Sequence, residues 1–147
     1  MSNFNLNINH LSEDENVSPV TGCMCVYVEG CGREIRLHDH DFYEVYFLLG
    51  GQVEYWVDGR IIRMLPGDLL LINPLELHRP IPAGESRMYE RIVLWLNAGF
   101  LQEFTLKGWD LTRCFNVRNT ERSNLLRPDG ITRELVRGYQ DGEDGLK

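Results

Sequence analysis

Lysine is almost missing from this chain of 147 residues: only Lys107 and Lys147 occur, and every other cationic side chain is an arginine, scattered along the length. With a formal charge of −7 and no basic run, the chain lacks the clustered cations that release counterions from phosphate. That excludes nucleic-acid binding by this chain alone. Long apolar runs are missing too. Nothing approaches the roughly 18 consecutive apolar residues of a membrane span. The opening "MSNFNLNINHLSEDE" has neither the basic flank nor the apolar centre of a secretory signal. No membrane role is expected, and the cytoplasm is the default location. Cysteine is sparse, at Cys23, Cys25, Cys31 and Cys114, and none shows the C-x2-C spacing of a zinc knuckle. Thiols packed in the core are expected in a reducing cytosol.

What is present suits one domain of short strands, because the chain is too short for two domains of usual size. "GCMCVYVEG", "REIRLH", "FYEVYFLLGG" and "QVEYWVDGRIIRML" follow one another as strand-like segments. In the last of these, Asp58-Gly59 separates two strand-like arms, and both residue types tolerate positive φ, so a tight hairpin is predicted there. Pro66-Gly67-Asp68 then turns the chain into an apolar strand from Leu69 to Ile72, and Pro74, Pro80 and Pro82 are expected to limit regular pairing beyond it. "SRMYERIVLWL" is a last long strand, with Tyr89, Arg91, Val93 and Trp95 on one side and Met88, Glu90, Ile92 and Leu94 on the other. Asn97 is positioned to cap a short helix in "AGFLQEFTL" that buries Phe100, Leu101 and Phe104. Many short antiparallel strands punctuated by turns indicate a sandwich or barrel.

The segment "RLHDHDFYEVYFLLGG", residues 36–51, carries the chemistry. Residues two apart in a strand project to one face, about 6.5–7 Å from each other. His38 and His40 can therefore converge on one small target, with Glu44 of the same parity beside them. "NPLELH" delivers His78 from the loop after the Leu69–Ile72 strand. Three imidazoles and a carboxylate suit a divalent transition metal (Zn, Ni, Fe or Mn) with open positions. They equally suit hydrogen bonding to a polyhydroxylated or anionic small molecule, or a purely structural polar cluster. Tyr46 shares the face of Glu44, Tyr89 stands on the last long strand, and Arg36 lies one pleat before His38. All three join the candidate ligand contacts.

The pattern Gly32-x5-His38-x-His40-x3-Glu44-x6-Gly51 resembles the first cupin motif residue by residue. Gly67, Pro74 and His78 stand in the order of the second motif, with Glu76 where that motif has glycine, a proline-to-histidine spacing one residue shorter, and no closing asparagine. "HDHDFYEVYFLLGG", "PGDLLLINPLELH" and "YERIVLWLNAGFLQEF" together resemble the N-terminal effector-binding domain of AraC-type transcription regulators. That resemblance implies a mostly β, cupin-like antiparallel barrel (a double-stranded β-helix or jelly roll) followed by C-terminal α-helices. It places an effector-binding barrel with its N-terminal arm in residues 1–106, and a helical extension for dimerisation and the start of a linker in 107–147. It also implies a small-molecule effector such as a sugar, and DNA contact only through a helix-turn-helix part that is not in this chain.

After Asn119 the chain changes character, and Ile131, Leu135, Val136 and Tyr139 recur at helical spacing. Ile131, Leu135 and Tyr139 are the expected homodimer contacts, since an apolar stripe at a domain's end pairs readily with its own copy. The acidic, Gly-rich ending "DGEDGLK" reads as a frayed tail or cut linker. Two functions compete. One is a sensor that binds its effector without breaking a bond; the other is a small metal-dependent cupin enzyme, an isomerase or oxygenase. The first is favoured, because no additional acid or base stands out for catalysis.

Overall fold

The computed structural model describes residues 22–31, 35–83, 88–105, 110–116 and 124–128. Among these residues eight antiparallel strands form two sheets. The larger sheet runs β1 (Cys23–Cys31), β7 (Met88–Leu96), β2 (Tyr43–Gly50), β5 (Leu69–Ile72) and β8 (Leu125–Leu126). The smaller runs β4 (Arg60–Met64), β3 (Gln52–Val57) and β6 (His78–Ala83).

Local chemistry explains the connections. The chain leaves the larger sheet at the end of β2 and enters the smaller through Gly51, whose φ of 82° is open to glycine at no steric penalty. The predicted Asp58-Gly59 hairpin is present, with φ of 44° and 82° at its two turn residues. Asp58 also holds the loop before β6: its Oδ1 accepts from Leu77 N at 3.0 Å and its own N–H donates to Leu77 O at 2.9 Å. Pro80 and Pro82, expected to limit pairing, instead lie within β6 opposite Tyr55 and Val53. An edge strand tolerates them, because its outer backbone groups need no partner.

Alternation divides the side chains between two apolar clusters. Tyr46 and Leu48 of β2 join Val53, Tyr55 and Val57 of β3, Met64 of β4, Leu70 and Ile72 of β5, and Tyr89 and Val93 of β7 between the sheets. The opposite face of the larger sheet packs Leu71 and Leu96 with Leu101 and Phe115, joined by the half-buried Cys23, Tyr43, Val45, Leu94 and Phe100. Leu101 sits on α1 (Ala98–Glu103), capped as predicted by Asn97 Oδ1 accepting from Gly99 N at 2.8 Å. Phe104, expected to be buried with it, is exposed because the helix ends before it. A short 3-10 helix follows at Leu111–Cys114.

Two expectations are corrected. The strands do not close into a hydrogen-bonded barrel. The two sheets face each other across a shared core, because each keeps its own edges among the described residues. The described part of "REIRLH", residues 35–38, supplies no regular strand either; the pairing described there is a bridge in which His38 N donates to His78 O at 3.1 Å and His78 N to His38 O at 2.9 Å. The expected C-terminal helices, with Ile131, Leu135 and Tyr139, and the N-terminal arm lie outside the described residues. Beyond residue 107, Leu125 and Leu126 extend the larger sheet by pairing with β5. Among the described residues no helix is long and apolar enough to cross a membrane.

Candidate functional site

The His38–His78 bridge draws two imidazoles together from segments forty residues apart in sequence, with ring centroids 4.4 Å apart. His40 completes the group, 4.8 Å from the His78 ring and stacked on Phe42 at 3.8 Å. His78 comes into place despite the shortened spacing of its loop. Leu75 takes a left-handed conformation with φ of 62°, and its N–H donates to His40 O at 2.8 Å. The buried Glu76 carboxylate closes the loop by accepting from Asn73 N at 2.8 Å and Asn124 Nδ2 at 3.2 Å. Asn73 Nδ2 donates in turn to Phe115 O.

Each imidazole spends Nδ1 in the same way. His38 Nδ1 meets Arg36 O at 2.8 Å, His40 Nδ1 meets Phe42 O at 2.9 Å, and His78 Nδ1 meets Glu76 O at 2.7 Å. A carbonyl only accepts, so Nδ1 carries a proton in all three; Nε2 is left as an electron-pair donor in His38 and His78, while in His40 it lies 3.2 Å from Glu44 Oε2, where it either donates to that carboxylate or, without its proton, would face a cation bound beside both. The three ligand atoms lie within 4.8 Å of one another. His78 Nε2 is buried and has no hydrogen-bond partner among the described residues, an expensive state for an imidazole nitrogen unless something electron-poor faces it. The donor set therefore fits a divalent transition metal bound through three Nε2 atoms.

Glu44 borders this group on β2. Its Oε2 accepts from Trp95 Nε1 at 2.8 Å and stands 3.2 Å from His40 Nε2 and 4.0 Å from His78 Nε2, while Oε1 accepts from Tyr55 OH at 3.2 Å. Burial pushes this carboxyl up, but the His40 hydrogen bond, the charges of His78 and His40 and the indole N–H together outweigh it, and the group is pulled down to about 2. It is an anion at neutral pH, orienting His40 and available to a cation beside the imidazoles. Desolvation moves His78 the other way from Glu44's attraction, and burial prevails: its pKa is lowered, so the ring stays neutral and able to ligate.

Deeper between the sheets lie polar groups of another kind. Tyr46 and Tyr89 are 2% and 3% exposed, and neither hydroxyl has a hydrogen-bond partner among the described residues. Tyr46 meets Tyr55 edge to face at 4.9 Å. Arg91, 2% exposed, holds its guanidinium carbon 4.2 Å from the centre of the Tyr89 ring.

Comparison with known proteins decides the family. Residues 24–137 match the model of the AraC-like ligand binding domain. The chain belongs to that family. No curated protein matches it. Among solved structures, a cupin protein from Bacteroides fragilis is similar at 21% identity over 72% of this chain and 94% of its own, with a TM-score of 0.49. A cupin 2 conserved barrel domain protein from Salinispora arenicola is 21% identical over 54% and 66%, TM-score 0.44. The DMSP lyase DddQ from Ruegeria pomeroyi is 28% identical over 50% and 36%, TM-score 0.41. Like the first solved structures it matches, at 66% and 59% of their lengths, the latter two are spanned by this AraC-like domain for less than two thirds of their chains.

Of the residues singled out from sequence, the AraC-like domain brings together His38, His40, Glu44 and His78, and it buries Tyr46 and Tyr89 in the interior below them. Arg36 is exposed, and its backbone carbonyl rather than its guanidinium serves His38. Sequence reasoning missed Trp95 and Tyr55 as the donors that hold Glu44, and Arg91 as a buried cation. Parity on β7 was the available signal for Arg91, since it shares the side of Tyr89 and Val93.

Proposed function

We propose that this ligand-binding cupin domain is the sensory part of an AraC-type transcription regulator. It takes up a small molecule between its sheets and passes the change to a DNA-binding part outside this chain, within a homodimer. The observation that carries the reading is the one-sided distribution of unsatisfied polarity. His78 Nε2, Tyr46 OH and Tyr89 OH are all buried without hydrogen-bond partners among the described residues, and all belong to inward positions. A fold that needed only stability would fill such positions with apolar atoms. A ligand that supplies the missing partners binds the folded state selectively and biases it, which is the physical content of sensing.

His38, His40 and His78 would hold a divalent transition metal through Nε2, and such an ion would supply a Lewis-acidic anchor for a ligand oxygen. Glu44 orients His40 and offsets positive charge there; Trp95 and Tyr55 keep that carboxylate in place. The test is metal content of the purified chain together with a thermal-shift panel of sugars and metabolites. Near-stoichiometric metal that falls away in His78→Ala supports the metal-anchored site. A panel without any stabilising compound, metal added or not, would overturn the sensory reading.

The preset imidazoles also favour a second reading, a metal-dependent cupin enzyme. The two part company over the fate of a bound compound. A sensor returns it unchanged after long incubation, and an enzyme does not, which NMR of the incubated mixture distinguishes.

A further inference from the structure

We propose that Asn124 is a positioning residue of the histidine site: it holds Glu76, the carbonyl of Glu76 holds His78, and metal uptake at the imidazoles and docking of strand β8 therefore strengthen each other. This deepens the metal-anchored reading of the site and rests on it. The Glu76 carboxylate, 2% exposed, reaches out of the histidine loop to accept from Asn124 Nδ2 at 3.2 Å, and the same oxygen accepts from Asn73 N at 2.8 Å. The backbone carbonyl of Glu76 meets His78 Nδ1 at 2.7 Å. A single residue thus joins the His78 ring to a segment 48 positions further along the chain.

Asn124 is held in turn by β5. It is 3% exposed, its Nδ2 also donates to Leu71 O at 2.8 Å, and its backbone O accepts from Leu71 N at 3.0 Å. These bonds use only backbone atoms of Leu71, and they come immediately before Leu125 and Leu126 pair with Leu70 and Leu69. A second tie reaches the loop from the same part of the chain, where Asn73 Nδ2 donates to Phe115 O. Apolar side chains at positions 76 and 124 would dock β8 without burying a carboxylate. Hydrogen bonds are directional, so the pair that is present makes docking depend on how the loop is set.

On its own β8 is a marginal element. Two residues pair, Leu126 is exposed, and the far end is held by an exposed Arg127 whose Nε lies 3.4 Å from Asp68 Oδ2. A strand of that kind opens at small cost, and a few bonds decide how often it is docked. A metal on His78 Nε2 restrains the ring, the Nδ1 bond behind it and the loop that carries Glu76. Docked β8 is the state in which that loop is already in place. The metal binds this state more tightly and, by linkage, raises its population by the same factor. Occupancy of the imidazoles is in this way felt on the C-terminal side of the chain.

The test measures both directions of the coupling on the full chain, with zinc as the probe. In chelator-competition titrations Asn124→Ala should bind zinc about tenfold more weakly than the unaltered chain, and Glu76→Ala at least as weakly. Glu76→Gln keeps an acceptor in place and should recover most of that loss. In hydrogen exchange, saturating zinc should slow the Leu71 amide, whose acceptor is Asn124 O, by about the same factor. Amides of β1, at the far edge of the larger sheet, should change little. In Asn124→Ala the slowing at Leu71 should disappear. An asparagine with a purely structural role would lower the Tm when replaced and move neither readout. Exchange in the unaltered chain needs no variant, so it carries the test if Asn124→Ala does not fold. Zinc affinity unchanged in Asn124→Ala, or Leu71 exchange indifferent to zinc that is bound, would overturn the coupling and leave the metal site standing. An unaltered chain that takes up no zinc overturns both.

Discussion

The two faces of β2 differ in what they leave unfinished. Tyr43 and Val45 point outward to an apolar layer closed by Leu101 and Phe115, and that layer contains no buried polar side chain lacking a partner among the described residues. Glu44, Tyr46 and Leu48 point inward, on the side where His78, Tyr46 and Tyr89 keep polar atoms without a hydrogen-bond partner among the described residues. Adjacent residues of one strand thus serve opposite ends. The outer face holds the fold together, and the inner face holds polarity in reserve for something that binds. Burial alone would not have told them apart, since both are well packed.

Truncating the outer face is the strongest way to sharpen this contrast. Leu71→Ala should cost about 3 kcal/mol of stability through lost transfer energy and the cavity left behind, measured by urea denaturation, while metal uptake per folded molecule stays as it was. A loss of uptake in that variant would break the comparison. His78→Ala should do the reverse. Metal affinity should fall by at least about a hundredfold, more than loss of a supporting residue produces, in a competition titration with a chromogenic chelator. Unchanged affinity would remove His78 from the ligand set.

Trp95→Phe is intermediate. It deletes the 2.8 Å donor to Glu44 Oε2, and a hydrogen bond to a buried charge is worth about 2 kcal/mol, visible as a lower midpoint in denaturant. Acid should act on the inner face. The folded-state pKa of His78 lies below its ordinary 6.5, so the unfolded chain takes up that proton first. The metal-free protein should hold its stability above about pH 6.5 and lose it as pH falls below, by at most about 1.4 kcal/mol per unit for this one group. Glu44, drawn to about 2 from 4.5, adds a second decline that begins below 4.5 and is complete only as the pH passes 2. His78→Gln should flatten the first segment and leave the second. The smallest effect belongs to the surface: Arg63→Ala removes an exposed 3.0 Å pair with Glu54 and should change stability by under about 0.5 kcal/mol.

Much of this could be read in advance where the signal is local. The Asp58-Gly59 turn, the Asn97 cap and the inward parity of Glu44 and Tyr46 depend on residues within a few positions of one another. The four-group cluster was also legible, although the reason given for it was only half right. His38 and His40 converge through hydrogen bonds with neighbouring carbonyls and a single bridge to His78, without the strand that spacing implied. The pairing of Pro80 and Pro82 was hidden because their tolerance depends on β6 being an edge, and strand order is a property of the whole sheet.

The sequence by itself determined most of the extended segments, β6 and β8 excepted, where several of them turn, and which side of those strands is apolar, because these follow from steric preference and alternation along the chain. It also named the imidazoles and the carboxylate. Only the tertiary structure decided that Trp95 and Tyr55 bind Glu44, that His78 Nε2 and two phenol hydroxyls are buried without partners among the described residues, and that Arg91 lies over Tyr89. Such facts concern residues from different strands meeting at distances of a few ångströms, and periodicity within one segment carries no information about which strand lies opposite it.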